Sequence, residues 1–308
     1  MDTTYPELKE IWPGWKIVEL LGKGLGGTVY RAVRSINGIV IESAVKIIAA
    51  PEDLYNPAIM KAEGAREADI ELYIGKADDG LNEISCLLKL KSCSHVVNIE
   101  DFAIVKRDDA IKWNVYIRME LLRSLTDYLT EKQRLSEDEI IKLGSDLSEA
   151  LIQCEKNNII YRDIKLENIY ITEEGCFKLG DFGISIKKEC AESAIVKGNK
   201  NYMAPEMFLE GKCDKTADIY SLGLLMYMLA NGNRLPFLGT DFFKANDEER
   251  EQAFRRRMTG EKIPDTRYAS KELNRIIMKA CSHDPDRRYQ NAEELNEDLK
   301  AIHMIRGK

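Results

Sequence analysis

The sequence lacks any run that could span a bilayer. Its longest apolar stretch, Leu222–Ala230, is interrupted by Gly223 and is far shorter than a membrane helix requires. Met1–Glu10 is polar and acidic, with no charged-then-apolar leader, so neither secretion nor membrane insertion is expected. There is no basic excess: 45 Lys and Arg stand against 52 Asp and Glu, a net charge of −7, which argues against general nucleic-acid binding. Histidine is scarce, with three residues (His95, His283, His303), too dispersed for a His-based metal centre. The 7 cysteines (Cys86, Cys93, Cys154, Cys176, Cys190, Cys213, Cys281) are odd in number and contain no C-x-x-C pair. They read as reduced thiols, several of them in a core, which points to the cytoplasm. Repeats and low-complexity tracts are also missing. What remains is a globular chain: of 308 residues, 44% are hydrophobic and 31% charged, enough to fill a core in one large domain or two ordinary lobes.

The texture changes along the chain. Trp15–Leu21, Thr28–Val33 and Gly38–Ile48 read as strands, with Asn37-Gly38 as a hairpin turn. From Pro51 to Asp79 the composition favours helix, and Glu83–Leu90 continues as helix with Ile84, Leu87 and Leu88 on one face. Ile99–Val105 and Trp113–Leu121 again look like strands. After Leu122 helices dominate. Ser136 and Glu139 form a helix-start pattern ahead of Ile140, Leu143, Leu147, Leu151 and Cys154. Two short strand-like pieces flank Glu174-Gly175, and helical patterns run from Ala217 onward.

Gly22-Lys23-Gly24-Leu25-Gly26-Gly27-Thr28-Val29 contains G-x-G-x-x-G-x-V. A dinucleotide-binding turn uses the same glycines, and Glu42 even supplies an acidic residue about twenty positions on. That turn must open a helix, however, and Thr28–Val33 is β-branched and leads into an Asn-Gly hairpin. No Gly-Lys-Ser/Thr ends the run, so it is not a P-loop either. Two strands hinged by glycines make a flap whose N–H groups can approach phosphates closely. Lys46 follows in the apolar strand Ala44–Ile48. On its own it would be a solvent-facing edge lysine; beside the flap it suits phosphate neutralisation, and burial would demand a carboxylate partner.

Tyr161-Arg162-Asp163-Ile164-Lys165-Leu166-Glu167-Asn168, Gly180-Asp181-Phe182-Gly183 and Ala204-Pro205-Glu206 come next. Asp218-Ile219-Tyr220-Ser221-Leu222-Gly223 and Asp284–Arg288 complete the series. In this order the motifs resemble those of the eukaryotic-type serine/threonine protein kinases, from about Trp15 to Ile302, in a form that suits a bacterial member. The resemblance implies an α+β, bilobal protein-kinase fold: a small β-rich N-lobe with a regulatory helix over residues 1–121 and a larger α-helical C-lobe over 122–308. It leaves almost no length for an appended sensor or anchor.

The resemblance also implies roles. Asp163 would accept or orient the proton of the substrate hydroxyl, and Lys165 would reach the γ-phosphate of ATP. Asn168 and Asp181 would offer oxygens to Mg2+. Lys46 would hold the α- and β-phosphates while paired to a glutamate. Gly22, Gly24 and Gly27 would form the phosphate flap, and Val29 and Ala44 the roof of the adenine pocket. Met119 would border that pocket, the backbone of Glu120–Leu122 would bond adenine, and Tyr170 would lie beneath. Arg288 would pair with Glu206. Glu83 is the expected partner of Lys46, although 37 residues separate them, about twice the family's usual spacing; Glu67 and Glu71 are rivals. Pro51–Asn82 therefore looks like an insertion, either surface decoration or a docking site for a partner.

Two departures stand out. Tyr161 replaces the usual histidine, a place where an aromatic should serve. Asn199 replaces a threonine whose hydroxyl ordinarily bridges the catalytic Asp and Lys. Between Gly183 and Gly198 the hydroxyl candidates for phosphorylation are Ser185 and Ser193, with Glu189 and Glu192 as ready-made charges for Arg162. The expected activity is Mg-ATP-dependent phosphoryl transfer to protein serine or threonine. The alternatives are a nucleotide-sensing pseudokinase, which would need a lost Lys, Asp or D-F-G, and a small-molecule kinase, against which Ala204–Glu206 and Arg288 speak.

Overall fold

The computed structural model describes residues 8–24, 26–48, 79–106, 113–187 and 199–306. Leu25, residues 51–78 of the expected insertion with Glu67 and Glu71, and Glu189, Cys190, Glu192 and Ser193 lie outside them. The chain divides into two compact units. The first comprises residues up to Lys91, Val97–Leu122 and Asp181–Gly183; the second comprises Ser92–Val96, Arg123–Gly180 and the chain from Ile184.

The first unit is built on an antiparallel sheet of order β1-β2-β3-β5-β4: β1 (Trp15–Gly24), β2 (Gly27–Ile36), β3 (Ile39–Ile48), β4 (Ile99–Lys106) and β5 (Trp113–Met119). Asn37 and Gly38 both take positive φ, 51° and 84°, so the β2–β3 connection follows the right-handed twist of its strands. A short helix, α1 (Leu8–Ile11), brings Leu8, Trp12 and Trp15 into a cluster with Ala32, Val45, Ile47 and Tyr116. The Trp12 indole N–H donates to Asp101 at 2.8 Å, and the Arg118 guanidinium lies 4.6 Å from the Trp15 ring centroid. This clamp, from a Trp-Pro-Gly-Trp run, had no motif to announce it.

Helix α2 (residues 79–89) carries Glu83. Its buried face is Glu83, Ile84, Cys86 and Leu87, with Leu90 just beyond, whereas Leu88 is 45% exposed. The expected face was therefore rotated. A helix that buries Glu83 centres its inner stripe on Glu83, Leu87 and Leu90, and at 100° per residue Leu88 falls outside it.

In the second unit, β6 (Arg123–Ser124) leads into α3 (Leu125–Lys132), and α4 (Glu137–Lys156) follows. Ser136 and Glu139 form the reciprocal capping box expected for α4. The short strands β7 (Ile159–Ile160), β8 (Ile169–Ile171), β9 (Phe177–Leu179) and β10 (Ile186–Lys187) pair as β6-β8-β9 and β7-β10. The remaining helices are α5 (Pro205–Leu209), α6 (Lys215–Ala230), α7 (Asp247–Met258), α8 (Lys271–Ala280) and α9 (Ala292–Arg306). Helix α6 is buried on all sides from Thr216 to Ala230, so the longest apolar run of the sequence is a core helix. A Cβ on its Gly223 would meet the Ala280 Cβ at 2.8 Å, so the absent side chain lets α8 lie against α6. Among the described residues no helix is long and apolar enough to cross a membrane.

Candidate active site

Lys46 projects from β3 and is 5% exposed. Its ammonium contacts Glu83 Oε2 at 2.7 Å and Oε1 at 2.9 Å, and Asp181 Oδ1 at 2.9 Å. The edge-lysine reading is thereby excluded, since a buried ammonium requires such partners. Burial works against its charge, but the carboxylates of Glu83 and Asp181 outweigh it and hold its pKa above that of an ordinary lysine. For Glu83, burial is the largest influence and pushes the carboxyl up to about 7, with Lys46 pulling it down and Asp181 pushing it further up.

The glycine turn reaches this cluster. A Cβ on Gly26 would lie 3.6 Å from both Asp181 Oδ2 and Lys46 Nζ. Gly27 has φ +126°, and a Cβ there would come within 2.7 Å of the Ile47 carbonyl oxygen, so no other residue fits. Gly24 pairs with Gly27, Gly22 with Val29, and Val29 with Lys46 across the strands. Ala44 is buried opposite Met119. The half-buried Glu120 and Leu122 follow, with the Glu120 N–H donating to the Asn98 carbonyl at 3.1 Å.

In the second unit, Asp163 follows β7 and is 7% exposed. Its Oδ2 accepts from Lys165 Nζ at 2.6 Å and from Asn168 Nδ2 at 2.8 Å, and the same Asn168 amide nitrogen also lies 3.0 Å from the Asp163 carbonyl. With its amide nitrogen engaged by Asp163, the amide oxygen of Asn168 is its acceptor group. Tyr170 is half-buried in β8, paired with Ser124 and Lys178.

Asp218 supports this loop from α6. Its carboxylate accepts the N–H groups of Tyr161 at 2.8 Å and Arg162 at 2.7 Å, the latter at φ +68°. Burial pushes the Asp218 carboxyl up to about 7, and the two amide bonds pull against that. The motif containing Asp218 was visible in the sequence, but its use as a clamp on the loop's backbone was not. Tyr161 is fully buried and its hydroxyl donates to the Gly180 carbonyl, so the aromatic does more than fill space.

Arg162 donates to the Ile184 carbonyl. The Ser185 hydroxyl, 2% exposed, donates to the Tyr161 carbonyl at 3.2 Å, which makes Ser185 a structural residue rather than an accessible phosphorylation site. Asn199 accepts from the Asn201 N–H at 3.0 Å. The link between Asp163 and Lys165 is direct, without the bridging hydroxyl this position usually supplies. Arg288 is fully buried and forms a two-pronged pair with Glu206 at 2.6 and 2.7 Å.

The family model described as "Protein kinase domain" matches residues 15–299. The chain belongs to the protein kinase family. Its kinase domain is 35% identical over 295 residues to a probable serine/threonine-protein kinase of Clostridium perfringens, covering 94% of this chain and 38% of that protein. It is 30% identical over 193 residues to the serine/threonine-protein kinase PrkC of Bacillus subtilis, covering 60% of this chain and 28% of the relative. The serine/threonine-protein kinase PknB of Mycolicibacterium smegmatis is 30% identical over 197 residues, covering 61% and 30%. The kinase domain thus spans well under half the length of these relatives. Its α+β architecture, an antiparallel sheet unit and a helical unit, is that of the family.

The titration of Glu83 makes a pH prediction. With its pKa raised to about 7, Glu83 is fully ionised only above neutrality, so kcat/KM for ATP should fall as pH drops from about 8 to about 6. Stability should move the opposite way. A carboxyl whose folded-state pKa is raised favours the folded state at low pH and loses that contribution as pH rises through about 7. A pH–rate profile alongside thermal melts checks both, and Glu83→Gln should flatten the two trends together.

Proposed function

We propose that this kinase domain transfers the γ-phosphoryl group of Mg-ATP to serine or threonine hydroxyls of protein substrates. The observation that carries the reading is the Asp163 carboxylate, pinned by Lys165 and Asn168 on a loop whose backbone Asp218 holds. Asp163 is assigned the substrate hydroxyl, whose proton it accepts or orients, and Lys165 the charge of the γ-phosphate. Lys46 is assigned the α- and β-phosphates, and Glu83 keeps its ammonium in place. Gly22, Gly24 and Gly27 let backbone N–H groups come close to phosphate oxygens. Val29, Ala44, Met119 and Tyr170 are assigned apolar contact with adenine, and the backbone from Glu120 to Leu122 its hydrogen bonds.

Asn168 and Asp181 each offer a hard oxygen donor of the kind magnesium prefers. Held by Asn168 and Asp181, a magnesium ion would supply positive charge against that of the phosphates. With Lys46, Asp163, Asn168 and Asp181 all in place, no specific feature favours the nucleotide-sensing alternative. The six described cysteines are free thiols, four of them buried, which suits the reducing cytoplasm as the place of action.

The test is acid hydrolysis of a protein substrate labelled from γ-phosphate-labelled ATP. Label on phosphoserine or phosphothreonine is expected. Label on phosphotyrosine alone, or release of free phosphate with none on protein, would contradict the reading.

A further inference from the structure

The last turn of helix α7 carries three consecutive arginines. Arg255 pairs with Glu251 at 3.0 Å, and Arg256 pairs with Glu261. Arg257 differs from both. It is 3% exposed and forms no ion pair among the described residues. Its Nη2 donates to the Lys200 carbonyl at 3.1 Å, and its guanidinium lies 5.6 Å from the Phe254 ring centroid. The Lys200 ammonium lies 5.9 Å from the same ring. Lys200 itself is exposed and likewise forms no ion pair among the described residues. Two cations therefore share one aromatic ring, one buried and one facing solvent, where an uncompensated buried guanidinium ordinarily finds a carboxylate.

Their position matters for substrate. Asn199, the residue before Lys200, lines a narrow recess, without room for a water molecule, together with Asp163, Ile164, Tyr202, Met203 and Met207. A peptide presenting its hydroxyl to Asp163 must run past this segment. An extended chain advances about 3.3–3.6 Å per residue, so a flexible lysine beside the recess reaches side chains within about three residues of the acceptor. Opposing charge nearby is limited. Glu167 on the catalytic loop is exposed and its charge acts on Tyr202, where Arg257 and Arg250 oppose it, and Asp247 is 3.7 Å from Arg250.

We infer that Lys200 forms a subsite for an anionic group, carboxylate or phosphate, carried by the substrate close to its acceptor hydroxyl, with Arg257 as the positioning residue that fixes the Lys200 backbone. This substrate class rests on the phosphoryl-transfer reading above. The chemistry is a charge-assisted contact from an ammonium, with the buried guanidinium adding potential and no carboxylate paired to Lys200 among the described residues. A basic residue at the same substrate position meets like charge.

The experiment uses acceptor peptides on a neutral background, carrying Asp, phosphoserine, Ala or Lys at each position up to four residues either side of a single threonine. At one position within about three residues of the acceptor, Asp and phosphoserine should raise kcat/KM about two- to fivefold over Ala, and Lys should lower it. Lys200→Ala should erase that discrimination and Lys200→Glu should invert it. Arg257→Gln should weaken it through KM, and added salt should shrink it. A larger gain for phosphoserine than for Asp would mark a phosphorylated substrate, and equal gains an acidic one. A flat profile, or the same profile in Lys200→Ala, would overturn the subsite. If no peptide were phosphorylated, the phosphoryl-transfer reading would fail instead. Titrating the same peptides into wild type and Lys200→Ala by fluorescence anisotropy would then decide the subsite on binding alone.

Discussion

Lys46→Met is expected to reduce phosphoryl transfer by at least about 100-fold and to destabilise the first unit at the same time. The ammonium is the shared partner of Glu83 and Asp181, with side-chain exposures of 6% for Lys46 and 2% for Glu83. Removing one member of such a buried pair typically costs about 3–5 kcal/mol, because the other charge stays buried without compensation. The double variant Lys46→Met/Glu83→Gln separates the two effects. Neutralising Glu83 should recover a substantial part of the stability, while transfer stays low because the cation assigned to the phosphates is still missing. Denaturant unfolding and label transfer on the same samples check this. A double variant as unstable as the single one, or with restored transfer, would contradict the assigned role.

The second large effect concerns Arg288. All five of its N–H donors are used: two to Glu206, and one each to the carbonyls of Thr216, His283 and Ser282. Its guanidinium also lies 4.7 Å from the Tyr220 ring centroid. Arg288→Ala should therefore cost about 3–5 kcal/mol, leaving the Glu206 carboxylate buried without its cation and removing a donor from each of three carbonyls. Arg288→Lys should recover little, because a lysine ammonium offers three donors without the planar fork. Urea midpoints across the series read the effect directly. A midpoint unchanged in Arg288→Ala would show that the pair contributes nothing.

Much of the chemistry was legible because it is local in sequence. Asp163, Lys165 and Asn168 sit within six residues, so a loop of fixed pattern brings them together without help from distant elements. The strand containing Lys46 and the Asn37-Gly38 turn were readable for the same reason, since turn chemistry and alternation act over a few residues. Partnerships across the chain were harder. Glu83 was singled out from rivals by the leucine pattern after it, not by spacing, and the same leucine pattern misjudged Leu88. Burying a carboxylate for Lys46 turned the helix in a way that hydrophobicity alone does not encode. The Trp12–Asp101–Arg118 clamp, the Asp218 hold on the Tyr161 and Arg162 amides, and the Phe254 contact of Lys200 and Arg257 depend on tertiary placement. The sequence contains these residues but gives no periodic or motif signal for their contacts.

The measurement that bears most directly on the central claim is label transfer from γ-phosphate-labelled ATP to a threonine peptide on a neutral background by wild type and Asp163→Asn, with ATP affinity measured by calorimetry on both. If Asp163 handles the acceptor hydroxyl, the variant should bind ATP with near wild-type affinity and transfer label about 100- to 10,000-fold more slowly. Equal transfer by the two proteins would contradict the account.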